Sequence, residues 1–204
     1  MASIVVVGDG PHSEMCAAVI ASTGLWTVVG HVVPDGVPHP AHLEVVGHDA
    51  DLPELCAAVP AAFVGIGDGH VRGRLLDDLR RMGFRVPAII APSAVIAEGV
   101  TIGDGVLVSP GAVVNVGATI KRGAIINTAA VVEHHVVVGE CAHIAPNATL
   151  CGSVTVGDLA LVGAGAVVLP DVAVGEAAVV AAGSAAPRDV PAGVISGVPG
   201  RRLR

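Results

Sequence analysis

The sequence predicts a chain in two parts: a small α/β domain built on a parallel sheet over residues 1–91, then a parallel β-helix over 92–204. Three observations predict it. An aliphatic residue recurs at every sixth position from Ile96 to Val180, fifteen times without a miss. The 204-residue chain is 52% hydrophobic yet only 1% aromatic, with two Phe, one Trp and no Tyr. The residues before Pro92 lack the six-residue period and alternate strand-like with helix-like runs.

The period explains the second part. Two positions before each aliphatic stands a smaller residue, Ala or Val, from Ala94 to Ala178. Residues two apart on a strand face the same side. Each hexad therefore points one small and one larger aliphatic inward and then turns. Gly99, Gly105, Gly111, Gly117 and Gly123 fall at the turns, where tight corners favour glycine. Six-residue sides stack into a solenoid of triangular section about five coils long, with strand edges and one aliphatic column buried by stacking. A narrow interior of this kind needs no aromatic bulk.

The first part reads element by element. SIVVVGDG is a buried strand ending in glycine, and residues 13–23 follow as a helix. TVVGHVV is a second strand, DLPELCAAV a helix and AAFVGIGDG a third strand. HVRGRLLDDLRRMGF closes the domain as an amphipathic helix. Alternating strands and helices predict a parallel sheet covered on both faces. The boundary falls near IIAPSA, at Pro92, and the tail AAPRDVPAGVISGVPGRRLR leaves the hexad pattern.

Composition excludes several function classes. A net charge of −7 gives no electrostatic reason to bind nucleic acid or anionic lipid. Mean hydropathy is high at +0.74, but Asp, Glu, Gly and Pro interrupt every run before it reaches the ~18 residues of a membrane span. MASIVVVGDG has no basic leader region. Cys16, Cys56, Cys141 and Cys151 form no CxxC pair and read as reduced thiols of a cytoplasmic protein.

Two sets of residues carry candidate chemistry. Gly8-Asp9-Gly10-Pro11-His12-Ser13 joins the first strand to a helix, where backbone amides attract phosphate. Gly65-Ile66-Gly67-Asp68 ends the third strand, and Asp35 follows the second, where ribose hydroxyls are held. Three such strand ends on one sheet edge favour a mononucleotide site, although Ser13 replaces the third glycine of the dinucleotide fingerprint. In the β-helix, histidine occurs only at His134, His135 and His143. Glu133, His134 and His135 occupy a corner, and His143 faces outward on the next side. A solvated corner accounts for any one of them. Their clustering points to a general base beside an orienting partner.

The glycine turn followed by His12, the GIGD turn with Arg72 beyond it, the solenoid start APSAVI, the run INTAAVVEH and the terminal GVPG together resemble the sialic acid O-acetyltransferase (NeuD)-type sugar acyltransferases. These hexapeptide-repeat transferases include enzymes that N-acetylate nucleotide-linked 4-amino-4,6-dideoxy sugars in the bacillosamine-pathway manner. The resemblance implies a Rossmann-like first domain and a left-handed β-helix. It implies acetyl-CoA as co-substrate, a nucleotide-linked amino sugar as acceptor, no metal, and a homotrimer with CoA between subunits. His134 is implied as catalytic base, with His135 beside it where relatives carry Glu. His143, Ala164 and Ala182 are implied CoA contacts, and Gly10, Pro11, His12, Asp35 and Gly67 the nucleotide site. Relatives with Asp-Asp after the second strand differ from Pro34-Asp35 here, and Gly200 stands where Ala is usual.

Other readings stay open from the residues. O-acetylation of a sugar such as sialic acid needs the same base. A metal enzyme like the γ-class carbonic anhydrases shares the solenoid, but no histidine lies in residues 94–133 to supply its first ligand. A binding protein without chemistry has no use for an intact His134.

Overall fold

A computed structural model describes residues 1–36 and 38–197. The GVPG motif beyond Gly197 and the rest of the tail lie outside the described residues.

The first domain is a four-stranded parallel sheet. Its strands are β1 (Ala2–Val7), β2 (Trp26–Val33), β3 (Val45–His48) and β4 (Ala62–Val64), in the order β3-β2-β1-β4. The sequence reading has three strands here; β3 is the addition. Its four residues, VVGH, are all half-buried, because β3 sits at the sheet edge with one neighbour, and no alternation marks it. Helix α1 (Pro11–Ser22) covers one face, packing Cys16, Val19 and Ile20 on Ile4 and Val6. Helices α2 (Leu52–Ala58) and α3 (Gly69–Met82) cover the other through Leu52, Leu76 and Leu79 on Val5 and Val7. Helix α3 is capped by Asp68, whose carboxylate accepts from the Val71 amide at 2.9 Å, and stops at Gly83 in the left-handed conformation.

From β5 (Ile89–Ile90) to β22 (Ile195–Ser196) the chain is a solenoid of two-residue strands. They form three parallel faces of seven, six and five strands. Pairing runs at a step of eighteen residues, with Ile126 beside Val108 and Ile144, and shortens to sixteen only at the last strand, where Ile195 lies beside Val179. The predicted small and large slots form one buried column, among them Ala124, Ile126, Ala130, Val132, Ala142 and Ile144. At ~25 cal/mol per Å² of apolar surface, repeating this small burial coil after coil stabilises the stack without a large side chain.

The corner slot adopts positive φ every six residues. Glycine fills it up to Gly123 and again at Gly165 and Gly183; Ala129, His135 (φ 58°), Cys141 and Asn147 are among the residues that adopt it without being glycine. A left-handed residue costs ~1–2 kcal/mol unless it is Gly, less for Asn, Asp or His.

The two parts share a core. Leu107 and Ile125 on the outer side of the seven-stranded face pack with Ile4, Val6 and Ile20. The first domain therefore sits directly on that face and presents its glycine turns to the solenoid.

Candidate functional site

Arg72 joins the two domains at the site. It is 1% exposed, although the helix pattern gave no sign that it is buried. Its guanidinium donates only to backbone carbonyls: Nε to Gly123 at 2.7 Å, Nη1 to Ile66 and Gly67 at 2.8 Å each, and Nη2 to Cys141 at 2.6 Å. Two acceptors lie on the glycine turn after β4 and two on solenoid corners. The planar fork fixes one to the other.

Beside Arg72, His12 at the start of α1 meets His143 on β14 (His143–Ile144), with ring centroids 6.4 Å apart. Burial, then the charge of Arg72, then His12 push the His143 pKa down to about 4. Burial and Arg72 also lower His12, whose Nε2 is buried with no partner among the described residues. Both rings are neutral at neutral pH. The tautomer of His143 follows from Asn127. Asn127 Oδ1 accepts from the Thr128 amide at 2.8 Å, so its Nδ2 is the atom 3.0 Å from His143 Nε2. That nitrogen accepts, and His143 Nδ1 carries the hydrogen. The second nitrogen of the ring is thereby left as a neutral donor.

The glycines of the turns after β1 and β4 divide into two kinds. Gly8 has φ 138°, and a Cβ on Gly65 would lie 2.7 Å from the Ser13 backbone, so the fold itself requires both. Ser13, in the third-glycine position, is fully buried in that contact. A Cβ on Gly10 or Gly67 would meet nothing within 4 Å. Those two leave open space above the turn where a ligand can approach the backbone.

His134 and His135 stand elsewhere. They occupy the corner between β12 (Val131–Val132) and β13 (Val137–Val138), with Nδ1 atoms 3.2 Å apart and rings edge-to-face. One Nδ1 donates and the other accepts. With His134 donating, its Nε2 holds a free lone pair. Glu133 accepts from the His134 amide at 3.3 Å and has no bond to either ring. The rings reach in opposite directions along the solenoid: His134 lies on Gly152, eighteen residues ahead, and His135 on Gly117, eighteen behind.

Ala164 and Ala182 are both exposed and stack on one corner, where the Gly183 amide donates to the Ala164 carbonyl. In register, this column continues from Thr128, beside Asn127. The Ala164–Ala182 column and the His143 group therefore share a corner. The whole six-stranded face separates that corner from His134, ~15–20 Å at strand rise. One chain does not bring them together. Asp35 lies in the turn after β2.

Cys141, at a corner slot, is 4% exposed, and burial raises its pKa. Burial pushes Cys16 up to about 12. Neither is a ready thiolate. Among the described residues no three His, Cys, Asp or Glu converge as metal ligands, and no helix is long and apolar enough to cross a membrane.

Residues 3–79 match the family model described as the PglD N-terminal domain. Among solved structures, perosamine N-acetyltransferase (PerB) from Caulobacter crescentus, in complex with CoA and GDP-perosamine, superposes with a TM-score of 0.91 at 37% identity, covering 98% of this chain and 97% of that one. The chain belongs to the NeuD/PglD-type sugar acetyltransferases. The acetyltransferase domain of PglB from Neisseria gonorrhoeae, a further relative, matches at 29% identity over 100% of both chains with a TM-score of 0.87, and the same domain is known in complex with acetyl coenzyme A. WeeI from Acinetobacter baumannii, at 24% identity and a TM-score of 0.87, has the same fold. No curated protein sequence matches the chain. Like other sugar acetyltransferases of this family, the chain couples a small nucleotide-domain-like sheet to a left-handed β-helix.

Sequence reasoning passes over two residues of this arrangement, Asn127 and Gly152, and gives Arg72 a place in the family motif but no role. Asn127 lies inside INTAAVVEH without standing out there. Nothing in the helix pattern marks Arg72 as the buried link between the domains. Gly152 had a visible signal: it stands one coil, eighteen residues, beyond His134.

Proposed function

We propose that the protein transfers the acetyl group of acetyl-CoA to the amino group of a nucleotide-linked sugar, with His134 as general base. The observation that carries this is the His134–His135 contact: a corner imidazole whose Nδ1 is held by a neighbour and whose Nε2 is free. PerB supports it as a 37% identical relative bound to CoA and GDP-perosamine.

The diphosphate binds over the amides of Gly10 and His12, on either side of Pro11, which has no N–H to give, with Gly67 opposite and Asp35 at the ribose. The sugar then extends toward His143. The pantetheine arm lies along Ala164 and Ala182, where small side chains leave room, and ends beside Asn127. His143 Nδ1–H donates to the thioester carbonyl, which gains negative charge as the amine attacks. The partner subunit's His134 completes the site, since one chain keeps the two corners apart, and the assembly is a homotrimer about the solenoid axis. As the C–N bond forms, His134 Nε2 takes the amine proton. The C–S bond then breaks, and the proton passes to the departing CoA thiolate. No acyl-enzyme forms. The enzyme works in the cytoplasm, where acetyl-CoA is available, and needs neither nucleic acid nor membrane.

Incubating the protein with acetyl-CoA and a panel of nucleotide-linked amino sugars, while following CoA thiol release and the mass of the product, tests the reading. It predicts a product heavier by one acetyl group and resistant to mild base, as an amide is. A base-labile product makes the protein an O-acetyltransferase. No transfer to any member removes the reading. Light scattering that finds a stable monomer removes the shared site.

A further inference from the structure

The carboxyl edge of the sheet holds a cavity of about 130 Å³. Val7, Val32, Ile66, Val71 and Leu75 supply apolar wall, and among the described residues Asp49 is the one ionisable group on it. Gly8, on the same wall, leads directly into the Gly10 turn. A base in this cavity and a diphosphate on that turn would lie along one sheet edge, with room for the ribose between them at Pro34.

Among the described residues Asp49 has no partner to justify its place there. It begins the 3-10 turn Asp49–Asp51, between β3 and α2. The neighbouring cap uses Asp51 instead, which accepts from the His48 amide at 2.8 Å. Among the described residues nothing donates to the Asp49 carboxylate. Burial first, then the charges of Asp35 and Asp9, raise its pKa, and His48 opposes them. A half-buried carboxylate among like charges gains most from a ligand bearing two adjacent N–H donors.

We propose that Asp49 reads the nucleobase of the substrate and that the base is guanine. Guanine alone among the common bases presents two neighbouring donors on one edge, N1–H and the 2-amino group, which match the two carboxylate oxygens. Uracil and thymine offer one N–H between two carbonyls, which the carboxylate repels. Adenine and cytosine offer an amino group beside an acceptor nitrogen. This assignment rests on the nucleotide site proposed above and deepens it.

Calorimetry with the intact protein and free nucleoside diphosphates tests it without any acetyl transfer. GDP should bind at least about tenfold more tightly than UDP, dTDP or ADP. IDP, which lacks the 2-amino group, should fall about tenfold below GDP in the wild-type protein. Asp49→Asn should lose GDP affinity and prefer XDP, because an amide can donate to the 2-oxo group of xanthine while accepting from N1–H. Equal affinity for GDP and the pyrimidine diphosphates, equal affinity for GDP and IDP, or no binding of any diphosphate overturns the assignment. Guanine preference without acetyl transfer leaves it standing and defeats the proposed activity. Transfer to a pyrimidine-linked sugar by a protein indifferent to GDP does the reverse.

Discussion

The imidazole of His134 rests on the backbone of Gly152, one coil further along: a Cβ built on Gly152 falls 2.4 Å from Cε1 and 2.6 Å from Nε2 of the ring. Gly152 is not among the positive-φ positions, so its backbone accepts alanine. The substitution should leave the solenoid intact and push the ring aside. We expect Gly152→Ala to lower kcat about tenfold or more, since an ångström of misplacement can cost ~10²-fold. Melting temperature should barely change. A variant with wild-type kcat removes the positioning role of this contact.

Arg72 ties the domains through carbonyls alone. Arg72→Ala leaves buried acceptors on both sides unpaired, at ~1–3 kcal/mol each where water cannot replace the bond. Arg72→Lys has too few donors in too different a geometry to restore them all. Chemical denaturation should show a loss of about 3 kcal/mol or more for alanine and a smaller loss for lysine. A loss below about 1 kcal/mol contradicts the staple.

The pH dependence of stability has a definite sign. Folding lowers the His143 pKa from 6.5 to about 4. Between those values the unfolded chain binds more proton than the folded one. The stability is therefore complete above about pH 6.5 and declines as pH falls toward 4, at up to ~1.4 kcal/mol per unit. His12, facing His143 beside Arg72, is lowered too and adds in the same direction. His143→Asn should flatten the fall in melting temperature between pH 6.5 and 4.5. An unchanged slope contradicts a buried neutral His143.

Gly10 tests the nucleotide turn. Its φ of −98° suits any residue, and a side chain there meets open space. As helix N-cap, a change to valine costs about 1 kcal/mol. Gly10→Val should weaken nucleoside diphosphate binding about tenfold or more, by blocking approach to the amides. Acetyl-CoA binding, proposed along the Ala164–Ala182 column of the solenoid, should stay the same. Calorimetry with both ligands reads the two effects separately.

The hexad period made the solenoid legible because each coil repeats one physical requirement, an aliphatic inward and then a corner. Even the corner carrying His134 and His135 could be placed by phase. The strand β3 was not legible, since four half-buried edge residues carry no periodicity. The burial of Arg72 and its carbonyl partners depends on how the first domain lies on the seven-stranded face. Nothing local in GHVRGRLLDDLRRM encodes that docking. The partnership of Asn127 with His143 crosses from one coil to the next, a diagonal neither residue's own hexad reveals. Gly152 under His134 was accessible in principle, because stacking at eighteen residues makes corner positions in successive coils into neighbours.

The central claim is that His134 removes the proton from the acceptor amine. Steady-state kinetics of His134→Ala, with acetyl-CoA and the acceptor sugar that the wild-type protein uses, tests it most directly. The account predicts a fall in kcat of about 10²- to 10⁴-fold, the usual share of general-base catalysis. Nucleotide affinity and melting temperature should hold, because the ring belongs to an exposed corner and to neither binding turn. His135→Ala should cost less, as it removes only the partner that holds Nδ1. Retention of most of kcat by His134→Ala contradicts the account and passes the role of base to Glu133 or His143.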